Sequence, residues 1–123
     1  MTVRFEDILA WKKAYAFVLQ TYKALAGYPD NEQYGLCSQF KRAAVSIPAN
    51  IAEGYKRIGK ADKLHFLNFA QGSLEECRCY IHLSKDLGFI NDEQYYGLYN
   101  SLEETSKLLN GYCRGIINNA YKD

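Results

Sequence analysis

Three short turn-like clusters divide the 123-residue chain into four long segments, in each of which apolar residues recur every three or four positions. The clusters fall at residues 27–31, 55–59 and 88–92. This spacing is the period of an amphipathic helix that buries one stripe of side chains. We predict helices over about residues 5–26, 33–54, 60–87 and 92–119. Because the connections are short, neighbouring helices should run antiparallel, which predicts an all-α fold with one up-down-up-down four-helix bundle over residues 1–123.

The first segment shows most clearly which residues should face the core. Its apolar stripe comprises Ile8, Trp11, Tyr15, Val18, Tyr22 and Leu25. We expect these side chains to be buried against the other helices, whose own stripes have the same spacing.

Local signals mark several helix ends. Asn91 with Gln94 three residues later is typical of a capping box at the start of the fourth helix. Asp30 and Gln33 have the same spacing before the second helix. Gly88 suits the end of the third helix, where a left-handed residue often follows the last turn.

The composition indicates a chain that folds and does not cross a membrane. Apolar residues make up 48% of the sequence and charged residues 24%, which is typical of folded domains. No stretch approaches the roughly 18 uncharged apolar residues of a transmembrane helix, and residues 1–7 lack an apolar signal-peptide region. We therefore expect a cytoplasmic protein with no membrane partner.

The sequence shows no pattern typical of a catalytic or metal site. Paired metal-binding motifs of the Glu-x-x-His type would suit this fold, but the nearest match is Asp62 with His65, and it has no second copy. Cys77 and Cys79 lie about 200° apart around a helix, so they point away from each other. With Cys37 and Cys113 they form no CxxC pair, which indicates reduced thiols. We predict no enzyme activity, no metal, no cofactor and no small-molecule substrate.

The second and third helices carry more apolar side chains than one buried face uses. The additional residues are Val45, Ala49, Ala52, Phe66, Phe69, Tyr80 and Leu83. They indicate a second packing surface formed with another copy of the chain. The alternative is that the core of this bundle is simply wide.

The basic residues concentrate in the first half of the chain. Residues 1–63 hold ten basic and six acidic side chains, whereas residues 64–123 hold five and eight. Antiparallel packing should bring seven of these cations to the end that contains the turn between the second and third helices: Arg4, Lys12, Lys13, Lys56, Arg57, Lys60 and Lys63. Such a surface suits phosphate binding without sequence specificity. The alternative is a solvated face with helix ion pairs, for instance Glu53 with Arg57.

Pro48 lies within the second predicted helix. A proline there removes a backbone donor and crowds the carbonyl of Ala44, which predicts a bend. Ser46 and Asn50 can hydrogen-bond locally or to a neighbouring helix. The segment is either a shaped binding site or a bend that wraps the helix around the bundle.

Arg42 has no acidic neighbour four residues ahead on its own helix, where Ser46 stands. Antiparallel pairing places it level with residues near 73, within reach of Glu75 or Glu76. We predict a partly buried ion pair that fixes the second helix against the third or against a neighbouring subunit, and disruption of a truly buried pair costs about 3 to 5 kcal/mol.

The most distinctive sequence in the chain is the run YGLCSQFKRAAVSIPANIAEG at residues 34–54. With DILAWKKA at residues 7–14 and AQGSLEE at residues 70–76, it resembles the signature of bacterial four-helix bundle proteins encoded in 23S rRNA intervening sequences, formerly labelled S23 ribosomal proteins. The signature positions are Arg42, Ser46, Pro48, Asn50, Glu53, Gly54, Glu75 and Glu76.

The resemblance implies the same bundle, no established enzymatic activity and a ring-like homopentamer. A distantly related branch comprises accessory proteins of diversity-generating retroelements, which bind nucleic acid and a reverse transcriptase through a strongly basic surface. The net charge of +1 differs from that branch. Our first hypothesis is a noncatalytic, self-assembling bundle that acts as a weak adaptor for nucleic acid or protein, with RNA as the expected nucleic acid. The alternative is a structural or protein-interaction module with no nucleic-acid role.

Overall fold

A computed structural model describes residues 4–120, with side chains to residue 118. Helix α1 spans Leu9–Leu25, α2 Leu36–Lys56, α3 Lys60–Asp86 and α4 Asp92–Gly115, and a π-helical turn continues α4 through Ile116–Ala120. Each helix packs on the next in sequence, and α4 packs back on α1, so the four helices surround one core. Residues 4–120 contain no strand, and the predicted all-α, four-helix fold is confirmed.

The first two helices begin later than the sequence suggested. Ile8 is extended and buried, and it separates a short 3-10 turn at Phe5–Asp7 from α1. Another 3-10 turn occupies Asp30–Glu32, so the predicted cap formed by Asp30 and Gln33 is wrong. Instead, the backbone N–H of Leu36 donates to Glu32 Oε1 at 3.2 Å.

Local hydrogen bonds form the predicted C-terminal end of α3 and the predicted N-terminal end of α4. Asn91 Oδ1 accepts from the Gln94 backbone at 2.8 Å, and the Asn91 N–H donates to Gln94 Oε1 at 2.9 Å, which confirms the capping box. Gly88 has φ of +78°, and the N–H of Phe89 bonds to the carbonyl of Ser84 at 2.9 Å. This is the Schellman arrangement, in which a left-handed glycine satisfies the last carbonyls of a helix.

The core face of α1 differs from the predicted stripe. Its buried residues are Ala10, Ala14, Phe17, Val18, Thr21 and Leu25. Tyr15 and Tyr22 are exposed instead, and Trp11 is only partly buried and stacks on Tyr15 with ring centroids 4.9 Å apart. Small side chains at positions 10 and 14 let α1 approach its neighbours closely, which leaves the aromatic stripe on the outside.

Helices α2 and α3 approach closely at Gly54. A Cβ atom at this position would lie 3.2 Å from the Lys63 carbonyl oxygen and 3.4 Å from Leu67 Cγ. Glycine is therefore the residue that fits this contact without displacing α3.

Helix α2 continues through Pro48, which is buried. Asn50 Nδ2 donates to both the carbonyl and the hydroxyl oxygen of Ser46 at 2.9 Å. The Ser73 hydroxyl donates to Ser46 Oγ at 2.8 Å. The polar side chains around the proline thus connect α2 to α3, and the bend at Pro48 stays a prediction.

Within residues 4–120, none of the helices is both long enough and apolar enough to cross a bilayer.

Candidate functional site

The turn between α2 and α3 defines one end of the bundle, which we call the basic end: residues 4–13, residues 53–66 and the last turns of α4. The Phe5–Asp7 turn packs on α2 there. Lys13 of α1 pairs with Glu104 at the middle of α4, with 3.5 Å between Nζ and Oε2, so Lys13 lies back from the tip of the bundle. The structure therefore brings together at this end the segments that carry the predicted phosphate-binding residues.

Four of the seven predicted cations are exposed and open to an external anion: Arg4, Lys12, Lys56 and Lys60. None of them takes part in an ion pair among the residues that the structure describes. Within residues 4–120, they are the only ones of the seven predicted cations that are both exposed and without an ion pair.

Lys63 does not belong to the exposed surface, and its predicted role in phosphate binding is wrong. Its side chain is buried, with 5% of its surface exposed. The ammonium Nζ donates to the carbonyl oxygen of Tyr55 at 2.7 Å and lies 3.5 Å from that of Gly54. Both carbonyls lie in the last turn of α2, and that of Gly54 also accepts from the Arg57 backbone N–H at 3.2 Å, so Lys63 acts as a cap that contacts chiefly the Tyr55 carbonyl. Burial lowers the pKa of Lys63.

Arg57 is engaged by its own surroundings. Its Nη2 lies 2.7 Å from Glu53 Oε2, which is the predicted ion pair, and its Nε lies 4.0 Å from Asp62 Oδ2. The guanidinium also stacks on Phe66, with Cζ 4.4 Å from the ring centroid. Glu53 binds this cation and Phe66 stacks on it, so it is less available to an external anion than the exposed lysines are.

The Arg42 pair is present but exposed. Arg42 Nη2 lies 3.6 Å from Glu76 Oε2, and the two side chains are 57% and 45% exposed. Arg42 also donates to Gln39 Oε1 at 3.0 Å, whereas Glu75 binds Arg78. Within one chain the predicted partner Glu76 is confirmed but the pair is exposed and not partly buried, and burial against a neighbouring subunit stays a prediction.

Two residues of the predicted second packing surface, the half-buried Phe66 and the exposed Phe69, form an aromatic group with His65 beside the basic end. The rings of His65 and Phe69 on α3 are 4.7 Å apart, edge to face, and Phe66 lies 5.4 Å from His65 and 6.2 Å from Phe69. Phe69 is 51% exposed. The spacing of four residues between His65 and Phe69 is the sequence signal that could have revealed the pair.

The apolar surface outside the bundle lies on more than one helix. On α1, Tyr15, Leu19 and Tyr22 are exposed, and on α2 Val45 is exposed as predicted for a second packing surface. Tyr80, in contrast, packs on Phe40 with centroids 5.7 Å apart and is partly buried by its own bundle.

Within residues 4–120, no group of three or more His, Cys, Asp or Glu side chains is arranged to hold a metal ion. All four cysteines are free thiols, and only Cys79 is exposed. Burial raises the pKa of Cys77 to about 12 and also raises the pKa values of Cys37 and Cys113.

Comparison with known proteins identifies relatives of the chain. The family model for 23S rRNA-intervening sequence protein matches residues 6–111. Among solved structures, the chain is similar to a protein of unknown function from the S23 ribosomal protein family of Bacteroides thetaiotaomicron, with 29% sequence identity and a TM-score of 0.76. That likeness covers 86% of this chain and 99% of the other. No curated protein matches the chain significantly.

Proposed function

The chain belongs to the 23S rRNA-intervening sequence protein family, and on that premise we propose that it is a noncatalytic, self-assembling helical bundle that binds RNA through its basic end. The observation that carries the proposal is the set of four exposed cations at that end, Arg4, Lys12, Lys56 and Lys60, which have no acidic partner among residues 4–120.

Phosphate recognition suits these residues because it requires exposed, mobile positive charge and no base-specific geometry. Lys56 and Lys60 flank the three-residue turn between α2 and α3, so their ammonium groups project from the tip of the bundle. Lys60 also occupies the first position of α3, where the helix dipole adds positive potential. The net charge of the chain is only +1, so this local concentration, and not the overall charge, supplies the attraction.

Self-assembly is supported by the apolar stripe that the bundle leaves outside. Tyr15, Leu19 and Tyr22 follow one another on the outer face of α1 at helical spacing. Large exposed apolar side chains on one face are typical of interaction surfaces. We expect the homopentamer that the family resemblance implies, in which rotational symmetry would place five basic ends on one rim. Several weak phosphate contacts on one rim would bind a long RNA more tightly than one alone.

The assembly is tested by the mass of the purified protein in solution. Light scattering should give about five times the 14.1 kDa chain mass for the natural sequence. Leu19→Asp places a charge in the exposed stripe without entering the core, so it should lower the mass while the helical circular dichroism stays unchanged. A mass equal to one chain for the natural protein would refute self-assembly.

RNA binding is tested by fluorescence anisotropy with a labelled RNA hairpin at salt concentrations from about 50 to about 200 mM. Affinity should fall steeply as salt rises. The double variant Lys56→Gln, Lys60→Gln should weaken binding and reduce the slope of log affinity against log salt by about 0.7 to 0.9 for each phosphate that the protein no longer neutralises.

The matched control removes the same charge at the opposite end of the bundle. Lys23 and Lys41 lie on α1 and α2 near the other turn, and replacing both with glutamine should leave RNA affinity nearly unchanged. Equal decreases in affinity for the two double variants would mean that only total charge matters. Absence of binding at low salt would refute the RNA role.

A protein-interaction module without a nucleic-acid role is the second candidate, and the aromatic stripe on α1 favours it. In that case Leu19→Asp would abolish partner binding, whereas Lys56→Gln with Lys60→Gln would have no effect. Noncatalytic function is part of both proposals, and the lack of a metal-binding group of His, Cys, Asp or Glu among residues 4–120 supports it. The relation of this chain to the accessory proteins of diversity-generating retroelements remains a prediction from sequence resemblance.

A further inference from the structure

Phe69 presents an uncovered aromatic ring on the outer surface of α3. It is 51% exposed, and His65, one turn earlier, meets it edge to face at 4.7 Å. The edge-to-face contact with Phe66 at 6.2 Å restrains the ring from a second direction. An exposed ring held by two neighbours is a preorganised surface for a flat partner.

Gly72 keeps that ring open. Side chains on a helix lean towards its N-terminus, so a side chain at position 72 would lie over Phe69 one turn earlier. A Cβ atom at Gly72 would meet nothing within 4 Å, so no packing contact in the bundle requires glycine there. Glycine within a helix lowers its stability relative to alanine, so position 72 carries a local cost that no packing contact within the bundle offsets. A shallow groove results, lined by Asn68, Phe69, Gly72, Ser73 and Glu76.

The groove carries hydrogen-bonding capacity beside the ring. The Asn68 amide is exposed and makes no hydrogen bond within residues 4–120, so both its donor and acceptor are available. An asparagine amide can pair with the edge of a base while an aromatic ring stacks on its face.

The charge next to the groove matches a nucleic acid. Of the four basic side chains in residues 53–69, Lys56 and Lys60 are exposed, whereas Lys63 is buried and Arg57 pairs with Glu53. Lys60, at the start of α3, lies about 14 Å along the helix axis from Phe69, a distance that a strand of a few nucleotides can bridge. A phosphate at the basic end and a base at the groove can therefore belong to the same strand.

We propose that Phe69, with His65 and Asn68, binds an unpaired base, and that the RNA partner is single-stranded or looped and not a continuous duplex. In A-form duplexes the bases are stacked inside the helix and cannot reach such a ring. This inference rests on the proposed RNA binding at the basic end, and it specifies that the bound RNA is single-stranded or looped. The exposed Asn68 amide at the border of the groove suits the edge of a base, and Glu76, the acidic residue in the lining, pairs with Arg42.

The test compares a labelled oligouridine with a blunt RNA duplex of the same length, by anisotropy at low salt. The natural protein should bind the single strand more tightly. Phe69→Ala should weaken single-strand binding by about 5- to 150-fold, the effect of losing one stacked base, and leave duplex binding unchanged. Phe69→Trp should retain single-strand binding. Gly72→Leu keeps Phe69 but covers it, and should produce the same selective loss.

Tyr96→Ala is the matched control, since Tyr96 is an exposed aromatic residue, 61% accessible, near the opposite end of the bundle. It should change neither affinity. Circular dichroism and light scattering on every variant separate folding and assembly from binding.

Equal affinity for the single strand and the duplex, with Phe69→Ala affecting both or neither, would overturn the inference while leaving the RNA role of Lys56 and Lys60 standing. A change in oligomer mass for Phe69→Ala, without selective loss of single-strand binding, would also overturn it and identify the groove as a subunit contact. Failure to bind either RNA at low salt would refute the proposed function itself.

Discussion

Replacing Lys63 with methionine removes an ammonium group from the end of α2 and keeps an unbranched side chain of similar length. In the native protein Nζ donates to the Tyr55 carbonyl at 2.7 Å and approaches that of Gly54. Hydrogen bonds that involve a charged group contribute about 1.5 to 3 kcal/mol, and a cation at a helix C-terminus adds a few tenths more. Release from the desolvation of the buried ammonium offsets part of this, so we expect Lys63→Met to lower the free energy of unfolding by about 1.5 to 3 kcal/mol.

Urea denaturation followed by circular dichroism measures the change. For a chain of this length 1 kcal/mol corresponds to about 4 °C in Tm, so the thermal midpoint should fall by about 6 to 12 °C. Lys60→Met is the control, because Lys60 is exposed and should change stability by no more than about 0.5 kcal/mol. Equal effects of the two substitutions would refute the capping role of Lys63.

The same variant has an expected pH dependence. Burial lowers the pKa of Lys63 in the folded protein below its ordinary value of 10.5. At pH values between the lowered pKa and 10.5, the unfolded chain therefore binds more protons than the folded one. The free energy of unfolding of the natural protein should therefore rise with pH in that window, relative to Lys63→Met. The stability difference between the two proteins should be larger near pH 10 than at pH 8. A difference that shrinks as pH rises would show that the carbonyl bonds raise this pKa more than burial lowers it.

Three further outcomes follow from burial and packing. Cys79 is the exposed thiol, so brief alkylation of the folded protein should modify it first, and Cys79→Ser should remove the fast phase; equally fast labelling of Cys77, whose pKa burial raises to about 12, would contradict the structure. Gly72→Ala adds a Cβ into open space and should stabilise the protein by about 0.5 to 1 kcal/mol in urea denaturation, whereas destabilisation would reveal a contact at this position. Arg42→Ala breaks an exposed pair with Glu76 and should cost no more than about 1 kcal/mol; a decrease of about 3 kcal/mol or more would indicate that assembly buries the pair.

The bundle could be predicted from sequence because its determinants are local. Long apolar stripes give the number of helices, and the capping box of Asn91 with Gln94 needs only two residues at fixed spacing. Helix α1 shows the limit. It carries one stripe with Trp11 and Tyr15 and another with Ala14 and Phe17, and both have helical spacing. Which stripe faces the core depends on how closely the neighbouring helices approach, which periodicity alone does not specify.

The sequence predicted which cations lie near the same end of the bundle. It did not predict which of them are exposed and which are held by neighbouring side chains. Antiparallel topology places the cations of α1, α2 and α3 at one end, and that much follows from the order of the helices. Whether a given cation is free depends on contacts between helices, as for Arg57, which Glu53, Asp62 and Phe66 surround. The Phe69 groove is open because Gly72 has no side chain. The periodic pattern of apolar residues, from which the helices were predicted, does not reveal such an opening.

The turn between α2 and α3 shows why the two kinds of lysine cannot be separated by charge alone. Helix α2 ends at Lys56 and leaves unpaired carbonyls, and a cation one turn into α3 can reach them only because α3 begins immediately after residues 57–59. Lys63 occupies that position and is buried by the contact. Lys60, three residues earlier, lies on the first turn and remains exposed beside Lys56. The effective charge of the basic end is therefore set by helix register, which allows a chain with a net charge of +1 to present a locally basic surface.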